Sequence, residues 1–140
     1  MHGAVVKGWP VMFSANSGFA SFSTNDLPAA WHFYKETLGL QVHAVGNNLN
    51  LTFPNGARVL IYGKDDHTAA SHTVLNIMVE DVAKSAARLH DAGVELEKSP
   101  WADDDGIQHG KGSGMPTIAW FRDPAGNWIS LIEATDQDLD

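Results

Sequence analysis

Apolar and polar residues alternate through "FASFS", residues 19–23, the two-residue period of a strand with one covered face. The period then changes. In "TNDLPAAWHFYKETLGL" the apolar positions Leu27, Ala30, Trp31, Tyr34 and Leu38 recur every three or four residues, so a helix carries them on one side. Asn25 or Asp26 can cap that helix, Pro28 suits its first turn, and Gly39 supplies a left-handed stop. Alternation returns in "QVHAV", "NLNLTF" and "RVLIY". These read as three strands, parted by Gly46-Asn47-Asn48 and by Asn55-Gly56, the second a strong hairpin signal.

The same succession follows a second time. "TVLNIMV" reads as a strand, and "EDVAKSAARLHDAGVEL" as a helix capped near Asp81 with Val82, Ala86 and Leu89 on one face and Gly93 as its stop. "VELEKS", "TIAWF" and "NWISLIE" read as the strands after it. Overlaying Asp26 on Asp81 sets Phe19 on Val74 and Leu27 on Val82; overlaying Pro124 on Pro54 sets Gly126 on Gly56 and Ile129 on Val59. Each half is therefore βαβββ, and the expected class is α+β with two βαβββ modules. The expected boundaries are an N-terminal extension over 1–17, one domain over 18–135 with repeats near 18–64 and 72–135, and an acidic tail over 136–140. The stretch "SPWADDDGIQHGKGSGMP", residues 99–116, has no period and is expected to be a long loop between strands. Loops of that length in compact domains either cover sites or lack fixed structure.

Composition narrows the chemistry. With 140 residues, 44% of them apolar, the chain can build one proper core. The absence of cysteine excludes disulfides, thiol nucleophiles and thiolate-bound zinc. A formal net charge of −8 argues against nucleic acid or an anionic membrane as the main partner. No run is long and apolar enough to span a bilayer, and the first residues carry no convincing secretion signal, so the expectation is a cytoplasmic protein.

The duplicated βαβββ pattern, "NDLPAAWHFYKETLGL" after the first strand and the closing "FRDPAGNWISLIE" together resemble the vicinal oxygen chelate superfamily. That group includes glyoxalase I, extradiol dioxygenases, fosfomycin resistance proteins and bleomycin-binding proteins. The resemblance covers roughly residues 18–134. It implies that each half curls its strands into a half-barrel and that two halves enclose a cavity. In the metal enzymes of the superfamily four ligands stand on the cavity floor. The matching positions here are Phe19, Leu60, Val74 and Ser130, and none is a usual ligand for a divalent cation. The expectation is therefore no metal and no cofactor.

Alternation from those four positions gives the lining: Phe19, Ser21 and Ser23; Arg58, Leu60 and Tyr62; Val74, Asn76 and Met78; Trp128, Ser130 and Ile132. The opposite set, including Phe22, Leu75, Ile77, Ile129 and Leu131, is more uniformly apolar and suits the space beneath helices. A mixed aromatic and polar concavity suits an organic ligand. His109, in the 99–116 loop with Trp101 near its start, can fold over this cavity; His67 in "KDDH" is a second possibility, although its setting favours a solvated connection. The expected ligand-contacting residues are thus Phe19, Ser21, Arg58, Leu60, Tyr62, Val74, Asn76, Met78, Trp101, His109, Trp128 and Ser130. The first functional expectation is a metal-free binding protein for a toxic or antibiotic-like small molecule, working as a homodimer. A lyase, isomerase or dioxygenase with a displaced metal is the alternative, and a dimeric partner-binding module with a filled cavity is the third.

Overall fold

In the computed structural model, residues 14–100, 102–110 and 116–133 are described. Trp101, the extension up to residue 13 and the acidic tail lie outside the described residues. The chain runs β1 (Ala20–Thr24), α1 (Leu27–Trp31), a π-helical segment (His32–Thr37), β2 (Gln41–Val45), β3 (Asn48–Thr52) and β4 (Arg58–Gly63). It repeats with β5 (Thr73–Val79), α2 (Val82–Asp91), β6 (Ile107–Gln108), β7 (Ile118–Arg122) and β8 (Trp128–Glu133). The two sheets have the same order, β1-β4-β3-β2 and β5-β8-β7-β6, with the first pair parallel and the rest antiparallel. Among the described residues no helix is long and apolar enough to cross a membrane.

Both helices start as their caps dictate. The Asp26 carboxylate accepts from Ala29 N at 3.0 Å, and Asp81 accepts from Lys84 N at 3.0 Å. The first helix departs from the expected α geometry. Leu38 N reaches back five residues to Phe33 O at 2.9 Å, widening the turn. The wider turn lets the neighbours Phe33 and Tyr34 both face inward, where an α-helical stripe places only Tyr34. Phe33 then meets Phe121 of the second half, ring centroids 6.1 Å apart, so the halves share one core.

The strand expected at "VELEKS" is a second correction. Within it only Glu97 pairs, as an isolated bridge to Trp120, while Ile107 pairs with Ala119 and Gln108 with Ile118. Neighbouring positions of β7 are thus met by residues 97 and 107, which stand ten apart in sequence. The counterpart β2 is unbroken from Gln41 to Val45. The 99–116 stretch is therefore not a plain loop, because it contains β6. Its lack of period reflects a strand too short, at two residues, to show one.

Candidate functional site

Cross-strand register decides which side chains share a face. The buried set of the first sheet, Phe22, Leu49, Leu51, Val59 and Ile61, packs with Ala30, Phe33 and Tyr34. The buried set of the second, Leu75, Ile77, Ala119, Phe121, Ile129 and Leu131, packs with Val82, Ala86 and Leu89. The other face of each sheet is the more exposed one, with Ser130 the buried exception. Its rungs are Ser21–Leu60–Asn50–His43 and Ser23–Tyr62–Asn48–Val45 on the first sheet. On the second they are Thr73–Trp128–Arg122, Asn76–Ser130–Trp120–Glu97 and Met78–Ile132–Ile118–Gln108. The large hydrophobic residues left exposed, Phe19, Val45, Tyr62 and Met78, all belong to these open faces or their margin.

The expected site residues divide between the two faces. Phe19, Ser21, Arg58, Leu60 and Tyr62 belong to the first, where the Arg58 guanidinium lies 5.2 Å from the Phe19 ring centroid. Asn76, Met78, Trp128 and Ser130 belong to the second. Val74 breaks the pattern. It stands in a bulge between Thr73, opposite Trp128, and Leu75, opposite Ile129. Thr73 rather than Val74 therefore shares the Trp128 rung, which simple alternation from Asp81 cannot anticipate. His109 is held by its own loop: its Nε2 lies 2.9 Å from Asp105 Oδ2, and it is not among the residues lining the cleft described next.

A cleft of about 290 Å³ opens on the second sheet, walled by Trp120, Trp128, Thr73, His72, Glu97 and the chain through Lys98, Ser99 and Pro100. Its walls are mainly apolar. Trp120 Nε1 donates to Thr73 Oγ1 at 3.1 Å, which lays its indole diagonally across the face. The Arg122 guanidinium sits 4.2 Å from the Trp128 ring centroid, a cation–π contact, and its Nε meets Glu97 Oε1 at 2.5 Å. Trp128 is thus fixed by a charged clamp on one side. Of the expected site residues within the described chain, only Trp128 lines this cleft. Trp120, Thr73 and Glu97 were missed. The turn "DPAGN" held the signal for Trp120, since a tight hairpin pairs it with Ser130. Glu97 was hidden because ten positions separate it from the rest of its strand.

A scan against family models matches residues 18–131 to the glyoxalase/bleomycin resistance protein/dioxygenase superfamily. The chain belongs to this superfamily. It is 30% identical to the uncharacterized protein YraH of Bacillus subtilis (strain 168) over 124 residues, 78% of this chain and 91% of that one. Among solved structures it resembles a lactoylglutathione lyase from Agrobacterium tumefaciens (17% identity, TM-score 0.61, 86% of this chain and 95% of the other). It also resembles a fosfomycin resistance protein from Listeria monocytogenes (12% identity, TM-score 0.64, 89% and 97%). These likenesses establish the fold. The activities those two proteins are named for differ, so superfamily membership leaves the specific function of this member to its own site.

The metal positions of the superfamily fail a test of donor chemistry in this member. Phe19, Leu60 and Val74 carry no donor atom. Ser130 is fully buried and its hydroxyl donates to Asn76 Oδ1 at 2.5 Å, so it is committed elsewhere. A divalent cation does not fit this set. Elsewhere, Asp103, Asp105 and His109 bring three possible donor atoms within 4.8 Å of one another in the residues flanking β6. The hydrogen bond from His109, then that from Ile107 N, holds the Asp105 carboxyl below its usual range.

His67 is not the solvated connection its sequence setting suggests. Its Nδ1 lies 2.6 Å from Ser23 Oγ and its Nε2 3.1 Å from Ala125 O. It ties β1 of the first half to the last turn of the second. Such a link joins residues 44 and 58 positions apart, which no local pattern reveals.

Proposed function

We propose that this chain is a metal-independent small-molecule-binding protein whose ligand is a planar organic compound held against Trp120 and Trp128. The observation that carries the reading is the pairing of donor-poor superfamily floor positions, Val74 and Ser130 among them, with a built aromatic cleft on the second sheet that bears those two. An indole wall with a few polar groups at its edge suits an aromatic ligand that carries a polar substituent. Thr73, His72, Lys98 and Ser99 stand at that edge.

The cleft volume of about 290 Å³ is at the small end for an organic-ligand site, and its mouth is open. The exposed Phe19, Val45, Tyr62 and Met78 suit burial by a second copy. A homodimer in which the open faces meet completes the site, and Asn76 and Met78 then line it beside residues of the first sheet. In this reading the protein sequesters its ligand in the cytoplasm.

Tryptophan fluorescence titrated with planar aromatic compounds of either charge tests the proposal. Saturable quenching whose affinity weakens about five- to thirtyfold in Trp128→Ala is expected, since one stacked ring contributes on the order of 1–2 kcal/mol. A panel that leaves fluorescence unmoved, or one bound divalent ion per chain in protein purified without added metal, overturns it.

A further inference from the structure

We propose that Ser23 is an activated nucleophile and His67 its general base, forming an acyl-transfer site separate from the aromatic cleft. The His67 tautomer sets the roles. Ala125 O is a backbone carbonyl and only accepts, so the His67 Nε2 that faces it at 3.1 Å carries the proton. The neutral ring then presents its lone pair at Nδ1, and Ser23 Oγ stands 2.6 Å from that atom as the donor. This is the arrangement that nucleophilic catalysis asks for: hydroxyl, base, and a third group that orients the base. A carbonyl takes the orienting role here. The nearby acidic residue Asp66 is engaged by Lys64 Nζ at 2.6 Å.

Ser23 is also placed to react. It lies on the open face of the first sheet, on the same rung as Tyr62 and Asn48, and its side is half-exposed. Tyr62 stands directly opposite Ser23 on β4 and carries an O–H, a donor type that can stabilise an oxyanion. Ser23 is held from behind, because its carbonyl accepts from Asn127 Nδ2 at 2.9 Å.

The step balances without any co-reactant beyond water. Ser23 Oγ attacks the carbonyl carbon of an activated ester while its proton passes to His67 Nδ1. The tetrahedral intermediate collapses, the bond to the alcohol oxygen breaks, and the proton on Nδ1 moves to the departing alkoxide. The acyl group remains on Ser23 until water, giving a proton to the same nitrogen, attacks it; the acyl–Oγ bond then breaks, Oγ takes that proton back from Nδ1, and a carboxylic acid leaves.

The test uses the full chain with a fluorophosphonate probe and p-nitrophenyl acetate. Phosphonylation of Ser23, located by peptide mass spectrometry, is expected, together with a p-nitrophenol burst that vanishes in Ser23→Ala. His67→Gln keeps a hydrogen-bonding side chain in place of the staple, and its labelling rate is expected to drop about 100-fold, the usual contribution of a general base. No adduct on Ser23 in the wild-type protein, or His67→Gln labelling as fast as wild type, overturns the proposal. Should His67→Gln fail to fold, the wild-type adduct and burst still decide the matter. A residue that only joins the two halves gives neither.

Discussion

Residues 53–57 and 123–127 close equivalent hairpins with equivalent backbone bonds. Phe53 N donates to Ala57 O at 2.9 Å and Asp123 N to Asn127 O at 3.0 Å; Gly56 N and Gly126 N each return to the first carbonyl of their turn. The glycines have the same left-handed φ, +90° and +84°. The first turn faces solvent from Pro54 to Ala57. The second is sunk between the halves, with Asp123 5% and Asn127 2% exposed. The difference lies in what stands at the ends of each turn. Where the first has Phe53 and Ala57, the second has a carboxylate and an amide. Asp123 accepts from Tyr34 Oη at 2.7 Å, from Asn127 Nδ2 at 2.9 Å, and from the backbone N–H of Ala125 and Asn127 at 3.0 and 2.8 Å. One backbone shape thus serves as a plain connection in one copy and as an interior clasp in the other. The clasp holds the start of β8, and so Trp128, against the first half.

The sharpest way to break that contrast is Asp123→Ala. It strands the Tyr34 hydroxyl and the backbone N–H of Asn127 in the core, and urea unfolding is expected to show a loss of about 3 kcal/mol. A loss no larger than that of a surface substitution would mean the clasp is solvated and the two turns are equals. Tyr34→Phe removes one donor to a charged acceptor and is expected to cost about 2 kcal/mol. This variant also carries a pH signature. Burial first, and the adjoining Asp123 carboxylate second, push the Tyr34 pKa far above its ordinary value of about 10. A raised pKa gives stability that is full below the unfolded value and declines as pH rises past it. Wild-type protein should therefore lose stability more steeply above about pH 10 than Tyr34→Phe does.

Smaller effects sharpen the comparison. Gly126→Ala and Gly56→Ala should each cost about 1–2 kcal/mol, because the strain is in φ rather than in space. At Gly126 an added Cβ meets Ala69 Cβ at 3.4 Å, an ordinary contact, and at Gly56 it meets nothing within 4 Å. Thermal melts that separate the two variants widely would show that the buried turn is also sterically filled. At the low end, Asn55→Ala removes an exposed side-chain bond to Ala57 N at 3.0 Å, and its expected change is within about 0.5 kcal/mol.

The legible parts of the molecule are those where cause and effect sit within a few residues. Asp26 and Asp81 cap helices because a carboxylate bonds an N–H three positions on. The alternation of Phe22, Leu75, Ile77, Ile129 and Leu131 marked the buried faces, because strand side chains have a period of two. The illegible parts depend on distant partners. Phe33 joins the core only because the π-helical turn aims it at Phe121. Val74 leaves its row because the Thr73 rung is set by Trp128 of β8. Glu97 reaches the cleft because its strand resumes ten positions later at Ile107.

By itself, the sequence determined the duplicated α+β architecture, the superfamily, and the lack of metal donors at the superfamily's floor positions. Those follow from local periodicity, short-range capping and residue chemistry, all of which are carried along the chain. Tertiary structure alone decided that Trp120 and Thr73 join Trp128 around one cleft and that Ser23 meets His67. It alone also decided that the Asp123 turn is a clasp while its twin is a surface bend. These depend on contacts between residues tens of positions apart, and the free energy of such contacts is defined only once packing has chosen their partners.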